Sequence, residues 1–237
     1  SPLIAIFFPF FFGLMVGDIA YGAIILVFAL IMKKMYKTEI WLQHLMDILI
    51  ISSIPSIIFG FLFGEFFGNL GEEMGWIHPV TFLGITWNRM EAIVPLLILA
   101  IAIGVFHVLL GLVIGTLNAL AKKSKKHVIE KVGMIAMIIG ILFIAGAAVE
   151  MIPASFLSPA VVLIIIALAM IIYGGGFFGA FEIMSTAVNI ISYARLMAIG
   201  MASVVLAVVA NRLGGMIDIA VVGFLIAAVL HIINIVL

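Results

Sequence analysis

Residues 92–121 read AIVPLLILAIAIGVFHVLLGLVIGTLNALA, thirty residues without one charged side chain. A helix rises 1.5 Å per residue, so about 20 mainly apolar residues cross the roughly 30 Å hydrocarbon core of a bilayer. This stretch is long enough to span lipid. The same ruler applied outward predicts further spans at about 2–35, 45–68, 129–150, 158–178, 182–211 and 214–237. Composition agrees, with 67% hydrophobic and 9% charged residues, against about 25% charged in a typical soluble domain. So few charges cannot cover a soluble surface. The expected fold class is all-α, a polytopic transmembrane bundle of about eight helices.

The count of eight comes from the first segment, which is too long for one plain crossing. Its middle carries Gly17, Asp18 and Gly22, two glycines and a charge that favour a break. Two short helices, 2–16 and 18–35, are the expected result, with Asp18 capping the second; one long tilted helix is the alternative. All eight lysines fall in two apparent connectors, around 33–37 and 122–131. Basic loops stay cytoplasmic, which assigns both to that side and the acidic segment 69–91 to the other. Glycines four apart, at Gly13/Gly17, Gly60/Gly64/Gly68 and Gly111/Gly115, are expected to let helices pack closely in lipid.

Several functions are disfavoured by what the chain contains. Net charge is +0, giving no reason to expect nucleic acid as a partner, and without cysteine there are no disulfides or thiolate metal sites. No metal and no cofactor are expected. Residues 174–179 match G-x-G-x-x-G, but no strand precedes them, so they read as a flexible cytoplasmic turn rather than a dinucleotide loop. No Gly-Lys pair exists to build a P-loop, no internal repeat stands out, and Ser1-Pro2 does not open a signal peptide.

The charges left inside apolar sequence are Asp18, Glu65, Glu182 and Arg195. An arginine at mid-membrane costs about 2.5–3.5 kcal/mol on insertion scales. Arg195 is the deepest, and its span also carries Glu182, Ser185, Asn189 and Ser192 at steps of 3, 4, 3 and 3. On one continuous helix the five would share an arc of about 140°, like the wall of an aqueous path. The alternative is a buried structural ion pair. Glu65 is a candidate for an ion path or an interfacial carboxylate. His107 is a packing residue or a proton relay, and His231 with Asn234 forms a polar patch.

From Asn189 to Ala202 the sequence NIISYARLMAIGMA resembles the arginine helix of the rotary V-type and A-type ATPase stator subunit, called subunit a or subunit I. Three other stretches agree in order: Phe8 to Gly22 with the first membrane hairpin, Ile57 to Asn69 with the third helix, and Gly104 to Asn118 with the fourth. Asn189 and Tyr21 stand where eukaryotic members often place histidine at or near the motif, which points to the archaeal or bacterial branch.

The resemblance implies a non-catalytic ion-translocating subunit packed beside a rotating ring of c-type proteolipid subunits. Two half-channels would carry protons or sodium ions to and from a ring carboxylate facing Arg195. Ion translocation is thereby expected of Arg195 first, then of Glu182, Ser185, Asn189, Ser192, Glu65, His107 and His231. It further implies that residues 1–237 are a membrane-domain fragment in the plasma membrane of an archaeon or bacterium. An absent N-terminal arm would bind the peripheral and central stalks, and a second family arginine would lie beyond Leu237. The rival reading is a secondary transporter in which Arg195 binds an anionic substrate in the bundle core.

Overall fold

The computed structural model describes residues 2–236. Its long helices are α1 (Pro2–Val16), α2 (Ile19–Met35), α3 (Ile40–Phe63), α5 (Ile93–Ala121), α6 (Lys125–Ala148), α7 (Leu157–Gly175), α8 (Phe177–Ile191), α9 (Ala194–Gly215) and α10 (Ala220–Val236). Between α3 and α5 lie the four-residue helix α4 (Leu70–Glu73) and a small antiparallel hairpin, β1 (Thr81–Phe82) and β2 (Ile85–Thr86). Five segments are long and apolar enough to cross a membrane: Ile40–Phe63, Ile93–Ala121, Lys125–Ala148, Ala154–Gly175 and Phe177–Gly215. The fold is the all-α membrane bundle that the sequence predicts.

The first segment breaks where expected. Gly17 takes φ +39, and the Asp18 carboxylate accepts the Ala20 and Tyr21 amides at 2.8 and 3.1 Å, closing the start of α2. Such a cap contributes about 1 kcal/mol. Gly22 is not part of the break. It lies within α2 and is buried against Ile57 and Ser56 of α3. The small buried residues Ser52, Ser53 and Ser56 give α3 the thin face on which α2 rests. The glycine spacing is a weaker guide elsewhere: Gly64 and Gly68 are left-handed loop residues, and no atom stands near the place of a Cβ at Gly111.

Two compact units are distinguished, Ser1–Ile98 with Ala194–Leu237, and Leu99–Tyr193. In the first, α1 and α2 pack on α3, and α9 pairs with α10. In the second, α6 packs along α7, and the core joins Leu112, Met134, Met137, Ile138, Ala167 and Ile171. In lipid such contacts gain dispersion rather than hydrophobic transfer, so tight fit matters more than greasiness.

Three boundaries differ from the sequence reading. The lysine-rich connectors shrink, because Lys33 and Lys34 end α2 while Lys125, Lys126 and Lys131 lie on α6. The glycine run 174–179 is no open loop: α7 continues to Gly175 and α8 starts at Phe177. The junction is Gly176 alone, whose φ of 59 and ψ of −144 suit glycine and little else. Finally, 182–211 is not one helix. It is interrupted at Ser192 and Tyr193, so the five polar residues from Glu182 to Arg195 are not carried by one continuous helix.

Candidate ion-translocation site

Arg195 is the second residue of α9 and is exposed. Ala198, Ile199, Ala202, Val205 and Val209, spaced by one, three or four residues along the same helix, are also exposed. The opposite face, with Met197, Gly200, Val204, Ala207 and Val208, is buried. Arg195 therefore points outward from a face otherwise made of small or aliphatic side chains. The sequence reading placed it deep in its span, and it does lie near the middle of the apolar segment Phe177–Gly215. It is exposed rather than sealed inside the bundle.

On α8, Ser185 and Asn189 are exposed among Phe181, Met184 and Val188, so this polar stripe also faces outward. Glu182 is half-buried and forms an ion pair with Lys131 of α6. The Ser192 hydroxyl donates to the Asn189 carbonyl at 2.7 Å. The neighbouring Tyr193 is fixed by α5: its hydroxyl is hydrogen-bonded to Nδ1 of His107, and its ring sits on Gly104. His107 thus holds the residue at which the helix breaks. A Cβ added at Gly104 would lie 2.8 Å from the Tyr193 ring. Gly104→Ala should lift that ring from its seat and lower stability by about 1–3 kcal/mol, the usual cost of overpacking. Denaturant titration of the detergent-solubilised protein measures this, and an unchanged midpoint would contradict the seat.

The other candidate carboxylates sit in the first unit, around an arginine that the sequence reading left in a loop. Arg89 is 2% exposed. Its Nε donates to Glu65 Oε1 at 2.7 Å, and a second guanidinium nitrogen pairs with Glu65 Oε2. The remaining donors reach the carbonyls of Met15 (2.8 Å), Val16 (3.0 Å) and Gly17 (3.1 Å). These lie at the C-terminal end of α1, whose last carbonyls have no partner within the helix. The guanidinium also lies over the Phe63 ring, 5.0 Å from its centroid. Glu65 is thereby the bidentate partner of Arg89. Asp18 does more than cap α2, since it also accepts the Phe67 and Gly68 amides at 3.2 and 2.7 Å.

Beside this cluster runs a second buried network. Tyr21 OH lies 2.7 Å from His231 Nδ1, and Asn234 donates to Tyr21 OH at 2.9 Å and to the Ser203 carbonyl at 2.8 Å. His231 Nε2 meets Asn211 Oδ1 at 3.0 Å, while Asn211 Nδ2 donates to the Phe67 carbonyl and Asn69 Oδ1. The His231 and Asn234 patch is real, and its partners Tyr21 and Asn211 were not singled out for it from sequence. A buried histidine and two asparagines on neighbouring helices would have been the signal. Of the eight candidates, His107, Glu182, Ser185, Asn189 and Ser192 belong to one unit, and Arg195, Glu65 and His231 to the other. Among the described residues no group of three or more His, Asp or Glu could hold a metal ion.

No family model matches the chain. It is 29% identical to the A-type ATP synthase subunit I of Archaeoglobus fulgidus over an alignment of 297 residues, taking in 100% of this chain and 44% of that protein. The subunit I of Thermococcus kodakarensis is 30% identical over 226 residues, 92% of this chain and 34% of that one. For Pyrococcus horikoshii the figures are 29% over 230 residues, 92% and 33%. The chain thus spans less than half the length of the curated relatives it matches.

Proposed function

The chain belongs to the A-type ATP synthase subunit I family, and from that premise we propose that it is the ion-translocating membrane part of the stator. Its long apolar helices make it an integral membrane protein; the proposed site is the plasma membrane, with the lysine-bearing helix ends cytoplasmic. In this reading α9 lies against a rotating ring of small proteolipid subunits. Protons or sodium ions reach a ring carboxylate by one half-channel and leave by another. The flow drives ATP synthesis, or runs in reverse on hydrolysis elsewhere in the complex, and stalk subunits hold the stator in place.

One observation carries the proposal: an arginine exposed at mid-span on a face of small and aliphatic residues. A charge at that depth is costly and marks a task, and a face of small side chains suits close approach by another helix. In this reading the approaching helix carries the ring carboxylate. The guanidinium lowers the carboxyl's proton affinity as it passes, releasing the ion to the exit path, and repels a free cation where the two paths would meet. Arginine suits the task because it stays protonated where a desolvated lysine can neutralise. Ser185 and Asn189, exposed on α8, supply polar lining, and Glu182 supplies a carboxylate whose charge Lys131 balances. A substrate site in a transporter core would enclose its arginine, and Arg195 is not enclosed.

The chain has no cysteine, so single cysteines report cleanly. In the assembled complex, Ala202→Cys and Val205→Cys should form disulfides with a cysteine placed on the outer helix of the ring. Ala207→Cys, on the buried face, should not. Equal cross-linking from both faces would overturn the docking of α9 on the ring.

A further inference from the structure

Two cavities flank the Tyr21–His231 hydrogen bond within the first unit. One, of about 600 Å³, is lined by Glu73, Asn211, Gly214, Gly223 and His231, at the end of α9 that meets the 69–91 loop. The other, of about 530 Å³, is lined by Met15, Tyr21, Ile199, Ala202, Ser203 and Asn234. Ile199 is one helical turn from Arg195 on the same exposed face. Between the two spaces stand Tyr21, His231 and Asn234, which are 2%, 8% and 8% exposed.

The donors and acceptors in this wall are fully assigned. Asn211 uses its amide nitrogen on Phe67 and Asn69, so its oxygen faces His231 Nε2. That ring nitrogen must then carry the proton, and Nδ1 accepts from the Tyr21 hydroxyl. The Tyr21 oxygen in turn accepts from Asn234. In the wall itself a metal cation meets only engaged groups, and the nearby Asp18 carboxylate already accepts four backbone amides. To pass, the cation would have to shed its water and push these side chains apart. A proton needs only a turn of the hydroxyl and the imidazole.

We propose that Tyr21 and His231 form a proton relay joining the two cavities, so that the ion carried on this side of the membrane is H⁺ and not Na⁺. This rests on the stator reading above. Going outward, Tyr21 O–H breaks as His231 Nδ1–H forms, and the Tyr21 oxygen takes a proton from water on the Arg195 side. The imidazole, now protonated on both nitrogens, then turns and breaks Nδ1–H to water on the Glu73 side. It turns back with Nε2–H still in place for Asn211, so one proton enters, one leaves, and the pair returns neutral to its starting tautomer. Synthesis uses the same steps reversed. Tyr21 and His231 are relay residues and Asn211 and Asn234 position them.

The test uses the whole complex in liposomes, with a pH-sensitive dye inside and labelled sodium outside. The wild-type complex should acidify the lumen on ATP addition and accumulate no sodium; sodium uptake without acidification overturns the proposal. Tyr21→Phe and His231→Gln should assemble and lose proton pumping by about tenfold or more, the scale of a lost acid–base group. In His231→Gly, added imidazole should restore part of the flux, which a purely structural histidine would not allow. Should either substitution prevent assembly, the wild-type ion selectivity and the imidazole rescue still decide. Arg195→Gln separates the two layers. If it stops pumping while Tyr21→Phe and His231→Gln pump normally, the relay alone falls. If it pumps normally too, the stator reading falls with it.

Discussion

Arg89→Met is expected to destabilise the protein by about 3–5 kcal/mol, the range for breaking a buried ion pair by removing one partner. The substitution leaves the Glu65 carboxylate 5% exposed without its counter-charge. It also strips the carbonyls of Met15, Val16 and Gly17 of their side-chain donor, and a buried unsatisfied group costs about 1–3 kcal/mol. Replacing both partners, as Arg89→Met with Glu65→Leu, removes the stranded charge and should recover part of the loss. It cannot recover all, because the three carbonyls remain unserved. Glu65→Gln keeps one acceptor for the guanidinium and should fall between. Denaturant titration of the solubilised protein gives the ranking. A double substitution as damaging as the single one would mean that Arg89 acts through its size and not its charge.

Arg195→Lys is expected to be nearly as damaging to coupled transport as Arg195→Ala, although lysine keeps the charge. In the proposed docking against a ring carboxylate the site would be desolvated, and an ammonium there can lose its proton. A lysine that neutralises neither releases the ring proton nor blocks a leak. The protein itself should remain folded in both variants, because the arginine is exposed and not part of the core. Glu182→Gln and Ser192→Ala should cost less, since water can replace a lining group in a wet path. Proton or sodium uptake by reconstituted complexes, normalised to assembled protein, gives the ranking. Full activity in Arg195→Lys would mean that any positive charge serves.

How far sequence reaches is visible in particular residues. The break at Gly17–Asp18 was legible because its cause is local: a glycine and a carboxylate that accepts the amides two and three residues on. Arg195 stands out because a charge inside a mainly apolar span has few explanations, but its exposure does not, since hydrophobic periodicity says little where lipid and protein interior are equally apolar. The interruption at Ser192–Tyr193 contains neither glycine nor proline. It accompanies a tertiary contact, Tyr193 seated on Gly104 and bonded to His107, 86 residues away. Arg89 was missed for the same kind of reason. In sequence it is one base in a polar segment, and its partners lie 24 residues away at Glu65 and 72–74 away on α1.

The most direct test of the central claim is ATP-driven ion uptake by the assembled Arg195→Gln complex, measured beside the yield of that complex from the same membranes. With Arg195 as the coupling charge on an exposed face, the complex assembles at wild-type yield and moves no ions against a gradient. Uptake near the wild-type rate in a normally assembled complex would contradict that assignment.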